Sequence, residues 1–288
     1  MTTFPEWLRL PLGAWVDRFV QWLVQDFGSV FDRITTGMLF VLVRLEQFLN
    51  WVPWWAVVLL VALLAWRATR RWTIPLATAG LLVLIGAFGL WNLAMSTLAI
   101  ILVATLISLA VGIPTGIWMA RSKAAKAVLR PMLDAMQTMP SFVYLIPAMM
   151  LFGLGKVPAI FATVIYAVAP VIRLTDLGIR QVDAAVIEAA EAFGSTRRHI
   201  LWGVQLPLAL PTIMAGINQT IMMALAMVVI ASMIGARGLG EQVLLGIQRL
   251  EVGRGFEAGL AIVALAIIID RITQGYARLY ARHARVSE

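Results

Sequence analysis

What most constrains this chain is its long apolar runs. Residues 73–91 and 95–119 contain no Asp, Glu, Lys or Arg. Neither run shows the stripe of an amphipathic helix or the alternation of a half-buried strand. A helix crossing the hydrocarbon of a bilayer needs about 20 mostly apolar residues. Seven segments qualify, at about 52–69, 73–91, 95–119, 132–154, 157–174, 207–234 and 258–274. The first is short, and only a tight turn at Gly155-Lys156 separates the fourth from the fifth. Composition agrees: 61% of residues are hydrophobic and 13% charged, against about a quarter charged in a soluble domain. A transmembrane barrel would show weaker, alternating segments of about ten residues. The expectation is an all-α integral membrane protein of about seven spans, with a membrane domain over 52–274.

Charge sets the orientation. The net charge of +8 reads as topology rather than as nucleic-acid binding, because the basic residues flank the spans. One side collects Arg67, Arg70, Arg71, Arg121, Lys123, Lys126, Arg130, Arg173, Arg180, Arg197, Arg198, Arg271, Arg278, Arg282 and Arg285. The other has Arg9, Arg18, Arg33, Arg44, Lys156, Arg237, Arg249 and Arg254, and its N-terminal four are outweighed by Glu6, Asp17, Asp26, Asp32 and Glu46. The richer side is the cytoplasmic one. This places the N-terminus outside and a short basic tail, 275–288, inside. Seven spans fit that parity. No cleaved signal peptide is expected, since a basic n-region followed by an apolar core is missing.

Residues 1–51 form an extracytoplasmic tail. Trp15, Phe19, Trp22 and Leu23 recur at helical spacing, with Asp17, Arg18, Gln21 and Gln25 on other faces. Such a helix lies in the interface with its rings at headgroup depth; the alternative is a loosely ordered tail.

Between the fifth and sixth spans the chain becomes soluble. Residues 173–205 carry Arg173, Asp176, Arg180, Asp183, Glu188, Glu191, Arg197 and Arg198. At about 3 kcal/mol each, placing all eight at the bilayer centre would cost on the order of 24 kcal/mol, so the segment belongs in the cytoplasm, as a loop over about 175–206. Asp183 suits an N-cap before a helix over 184–193, and Gly194 suits the left-handed turn that ends it. Ser195 can cap a second short helix over 196–205. Pro207 then opens the next span, where its missing N–H costs little. The first helix is small-faced, with Ala184, Ala185, Ala189, Ala190 and Ala192, while Glu188 and Glu191 are i,i+3 neighbours. This describes either a docking knob or an ordinary helical loop.

Here a resemblance enters. Glu188-Ala189-Ala190, then Gly194, then Leu206-Pro207, resembles the EAA motif of ABC-importer permeases, E-A-A-x3-G-x9-I-x-L-P. Val204 stands at the isoleucine position; the other fixed positions match. The stretches 133–155 and 234–273, and PLGAWVDRFVQWLVQDF at 11–27, are similar to the glycine betaine/proline/choline permeases. The resemblance implies a type I ABC-importer permease architecture and a role as its membrane-spanning subunit. It implies that Glu188, Ala189, Ala190, Glu191 and Gly194 form the coupling helix that docks on a cytoplasmic ATPase. Leu206, Pro207 and Pro211 would set how that helix joins the sixth span. It further implies two copies of the ATPase, which bind ATP and Mg, a second copy of this chain as a homodimer, and a separate extracytoplasmic solute-binding protein, the chain ending at Glu288 without a fused one. Location would be the bacterial inner membrane.

The residues themselves offer no other chemistry. No G-x-x-x-x-G-K-[ST] is present, because Met150 stands where the first glycine would and Val157 follows Lys156. No nucleotide site, cofactor site or catalytic constellation is expected. Gly235, Gly238 and Gly240 read as a flexible extracellular loop. Cysteine is absent, and His199 and His283 are too far apart for a zinc site. Asp134, Asp270 and Arg271 read as structural salt bridges or snorkelling groups rather than a proton relay. In the fourth span Gln137, Thr138, Pro140 and Tyr144, candidates to line the translocation path, lie between Pro131 and Pro147, which predicts a kink whose freed carbonyls need a partner or a cavity. In the sixth, Asn218, Gln219 and Thr220 either line a path for a zwitterion or bond between helices. Met223 and Met227 either pass a quaternary ammonium group or simply pack. The other readings are a permease for another small solute, such as an amino acid or a sulfonate, and a stand-alone secondary carrier, which would have no use for a docking helix.

Overall fold

Pro53, Pro140, Gly153 and Gly194 stand at breaks between helices, while Pro114, Pro131, Pro170 and Pro211 lie inside helices. The computed structural model describes residues 11–286, with side chains through Leu279. Glu6 and Arg9, and the side chains of Arg282, His283 and Arg285, lie outside that range. Among the described residues all regular structure is helical: α1 (Leu12–Trp51), α2 (Trp54–Thr69), α3 (Thr73–Ala87), α4 (Trp91–Arg121), α5 (Lys123–Thr138), α6 (Leu145–Phe152), α7 (Lys156–Arg180), α8 (Ala184–Ala192), α9 (Arg197–His199), α10 (Leu206–Ala231), α11 (Leu239–Arg249) and α12 (Val252–Val286).

The centre is α7, gripped between α4 and α10 through small residues. A Cβ on Gly112 would stand 2.4 Å from a methyl of Val171, and one on Gly116 2.7 Å from the carbonyl of Ile172. On the other flank a Cβ on Gly216 would meet Leu174 at 2.9 Å. Apolar association inside a bilayer lacks the hydrophobic drive available in water, so helices gain contact by bringing backbones close. Accordingly Ala159, Ala162, Ala167, Ala169 and Val171 of α7 are fully buried. A larger apolar cluster joins α4, α10 and α12 to α1–α3 through Leu42, Leu82, Ile85, Ile100, Leu225 and Leu265.

Four helical segments, Trp91–Arg121, Lys156–Arg180, Arg197–Ile234 and Val252–Leu279, are long and apolar enough to cross a membrane. The count rises to six if two bent pairs each act as one span. Thr73–Ala87 is a further, shorter apolar helix, beside the expected count of about seven. Residues 132–154 are not one helix: α5 and the segment Ser141–Phe152 meet at 110°. Pro140 causes this, because the residue before a proline is driven out of the helical region, and Met139 is extended at φ −70°, ψ 137°. The segment at 73–91 forms a helix of 15 residues, which ends ahead of Gly89 at φ +71°.

The N-terminal segment is one 40-residue helix, meeting α2 at 100°. Trp15, Phe19 and Trp22 are exposed on it, while Leu42, near its other end, is fully buried. Glu46 fastens that end: it accepts from Ser96 of α4 and pairs with Lys156 of α7 at 2.5 Å. The glycines at 235–240 are not a flexible loop. A Cβ on Gly238 would stand 2.6 Å from Thr97 Oγ1, one on Gly240 2.8 Å from the Val229 carbonyl, and the Leu239 amide donates to Thr97 at 2.9 Å. α12 continues to Val286, so the basic tail begins as part of that helix.

A candidate coupling helix at the end of the central span

The charges at 173–180 sit paired on the last turns of α7. Asp176 is 5% exposed. It accepts from Arg180 Nε at 2.6 Å and lies 3.4 Å from Lys126 of α5, while Arg180 also donates to the Met119 carbonyl of α4 at 2.8 Å. Arg173 pairs with Asp134 of α5. Neutralised in this way, the charges let α7 continue to Arg180 and bind the ends of α4, α5 and α7 into one unit.

Past Gln181 the chain builds α8. Its N-cap is Asp183, whose carboxylate accepts from the Ala185 amide at 2.9 Å. Its exit is Gly194 at φ +79°, a backbone conformation that only glycine adopts without strain. The Gly194 amide donates to Glu191 O at 2.9 Å and the Ser195 amide to Ala190 O at 3.0 Å, which satisfies carbonyls the helix end would leave open. No side chain of α8 is buried. Glu188, Ala189 and Glu191 are exposed, and Phe193 at the exit is 91% exposed.

The second short helix is corrected in two respects. Its cap is Thr196, not Ser195, with Thr196 Oγ1 accepting from the His199 amide at 3.3 Å. It also does not stop before the span: α9, a π-helical stretch Ile200–Gln205 and α10 form one unbroken helical segment, Arg197–Ile234. Pro207 has no N–H to offer the Gly203 carbonyl, and the widened turn just before it accommodates this; the Leu206 amide reaches back to Leu201 O. Pro211 sits one turn further on, inside α10. Leu201 is buried against Ile179, Ala209 and Ile213, so the stretch leading out of α8 is packed on the end of α7.

The polar residues expected along a path fall into two groups. Tyr144 and Met227 are brought together in one buried cluster that also holds Ala159 and Ala231, with Tyr166 packed against it. The Tyr144 hydroxyl donates to the Met136 carbonyl, and its ring centroid lies 6.2 Å from that of Tyr166. Gln137 is half-buried at the end of α5; Thr138 and Pro140 are exposed, with Thr138 Oγ1 donating to the Ala135 carbonyl at 3.0 Å. Asn218 is drawn elsewhere, into a network on α12: it donates to Asp270 at 3.3 Å and accepts from Thr273, while Gln274 also donates to Asp270. That is the interhelical role. Gln219 is exposed, Met223 half-buried, and the buried Thr220 hydroxyl has no hydrogen-bond partner among the described residues. Tyr166, which packs against this cluster, was not among the residues expected along a path. A tyrosine inside an apolar span was the signal that could have found it.

Among the described residues no group of His, Asp and Glu is arranged to hold a metal. Comparison with known proteins then fixes the kinship. Residues 112–286 match the family model described as the binding-protein-dependent transport system inner membrane component. The chain is 49% identical to the glycine betaine/proline betaine transport system permease protein ProW of Escherichia coli (strain K12), over 93% of this chain and 76% of that protein. It is 47% identical to the glycine betaine transport system permease protein OpuAB of Bacillus subtilis (strain 168), over 92% of this chain and 94% of that protein. It is 46% identical to the glycine betaine/carnitine transport permease protein GbuB of Listeria monocytogenes, over 94% and 97%. Its fold matches that of the MetNI methionine ABC transporter in an inward-facing conformation, with a TM-score of 0.56 at 22% identity over 69% of this chain and 96% of that one. The chain belongs to the binding-protein-dependent transport system inner membrane components, as a permease subunit of an ABC transporter.

Proposed function

We propose that this permease carries a compatible solute of the glycine betaine or proline type into the cytoplasm by alternating access, driven by a partner ATPase that binds ATP and Mg. The reading draws on relatives named for glycine betaine transport that span nearly the whole chain. The observation that carries the coupling role is α8: a capped helix with no buried side chain, attached to the central span at one end and to α10 at the other. Glu188, Ala189, Ala190, Glu191 and Gly194 dock it on the ATPase. Leu206, Pro207 and Pro211 transmit its movement. The close crossings at Gly178 and Gly216 make α7 and α10 move together when α8 is pulled. Two permease copies present two coupling helices to an ATPase dimer. Nucleotide binding draws these together and opens the outer side; hydrolysis resets the inner side. A separate solute-binding protein delivers cargo to the outer face, where the N-terminus lies.

The assay is uptake of radiolabelled glycine betaine into vesicles holding permease, ATPase and binding protein. The reading expects ATP-dependent uptake that vanishes when either partner is omitted. Uptake without the ATPase would make the chain a stand-alone carrier, and ATP-driven uptake of a different solute would overturn the substrate. Orientation is read separately. The chain has no cysteine, so a single cysteine at Gly194 should react only with a thiol reagent that reaches the cytoplasmic face.

A further inference from the structure

The turn between α2 and α3 and the C-terminal part of α12 enclose a cavity of about 220 Å³. A close helix crossing builds its floor. A Cβ on Gly275 would stand 2.8 Å from Ala68 Cβ and 3.0 Å from Thr69 Cγ2, so glycine is what lets α12 come this near to α2. Three arginines, all exposed, are among the lining residues: Arg71 from the α2–α3 turn and Arg271 and Arg278 from α12, together with Thr69 and Gln274. Arg271 and Arg278 are seven residues apart, about two turns, and so share one face of α12. Arg278 donates to Gln274 Oε1 at 3.2 Å.

None of the three arginines forms an ion pair among the described residues. Asp270, the acid adjacent to Arg271, is engaged by Asn218 and Gln274 and does not line the cavity. Three cations around one hollow without an ion-pair partner among the described residues repel one another, and an anion seated among them removes that repulsion. Guanidinium forks suit phosphate oxygens in particular.

The surroundings say how such an anion arrives. Trp66 and Trp72 pack at the same turn with ring centroids 5.6 Å apart, and Trp72 is 77% exposed. Tryptophan at the ends of spanning helices marks headgroup depth. Leu76, one turn after Trp72 on α3, and Leu63, three residues before Trp66 on α2, are exposed and offer apolar surface to acyl chains. We propose that this cavity binds the headgroup phosphate of an acidic phospholipid and so fastens the α2–α3 hairpin to α12. The inference is independent of which solute the permease carries.

Native mass spectrometry of the full chain in detergent tests it, with phosphatidylglycerol, phosphatidylcholine and inorganic phosphate as probes. The expected result is one phosphatidylglycerol per chain held about tenfold or more tighter than phosphatidylcholine. That preference disappears in R71Q/R271Q/R278Q and persists in R121Q/K123Q/R130Q, which removes equal charge at another turn. Equal affinity for both lipids would overturn the proposal, as would equal loss in the two triple variants. Displacement of phosphatidylglycerol by millimolar inorganic phosphate would also overturn it, making the site one for a free anion. If the triple variant does not fold, R278Q alone and a salt series on the unmodified chain decide. Both should weaken phosphatidylglycerol binding and leave phosphatidylcholine binding unchanged; unchanged phosphatidylglycerol binding in both contradicts the proposal.

Discussion

α7 and α8 are built from similar material and used in opposite ways. Both are rich in alanine. In α7, Ala159, Ala162, Ala167 and Ala169 are fully buried, and glycines on α4 and α10 bring two neighbours against it at contact distance. In α8, Ala184, Ala185, Ala189 and Ala192 lie exposed, and no residue of the helix is buried. Small residues permit close approach of another backbone. For α7 that backbone belongs to the same chain; for α8 the described residues leave every position of the helix unburied. The contrast teaches that one helix holds the bundle together, while the other leaves its small face open, as the proposed docking on a partner requires.

Substitutions break or sharpen this contrast, and the largest effect belongs to α7. Gly116→Leu drives a side chain into the Ile172 carbonyl and should cost about 3 kcal/mol or more, seen as loss of the monodisperse peak on size exclusion. Asp176→Asn should come next. It leaves Lys126 and Arg180 without their carboxylate; the two cations are about one-third exposed, so water softens the penalty to about 2 kcal/mol, read as a lowered melting temperature. Asp183→Ala should cost about 1 kcal/mol, confined to α8, and appear as faster amide exchange over 184–192 with α7 unaffected. Phe193→Ala should leave melting within about 0.5 kcal/mol of the parent, as expected for an exposed position, while weakening ATPase binding. A melting loss comparable to that of Asp176→Asn would show that Phe193 is covered within the permease itself.

Much of this architecture is legible in the sequence, and what escapes is mostly non-local. The limits of α8 are local events: Asp183 caps, Gly194 turns, and both lie where side-chain chemistry puts them. Pro140 announces a break, but the 110° bend depends on what the two arms pack against, including Tyr144 donating to Met136. The pairing of Asp176 with Lys126 spans 50 residues and that of Glu46 with Lys156 spans 110; no periodicity encodes either. The single helix of α1 was obscured by Gly13, Gly28 and Gly37, which lower helix propensity yet face open space here. The fate of Asn218 was undecidable in the sequence, because its partners Asp270 and Thr273 lie more than 50 residues away.

The most direct test of the central claim is retention of the partner ATPase by the permease carrying Glu188→Arg, measured by co-purification alongside melting temperature. Glu188 is exposed and sits on a helix with no buried side chain. The account predicts unchanged melting and at least about a tenfold loss of ATPase binding, as for a charge reversal at a docking surface. Unchanged melting with unchanged ATPase retention would contradict it, and α8 would then be an ordinary loop.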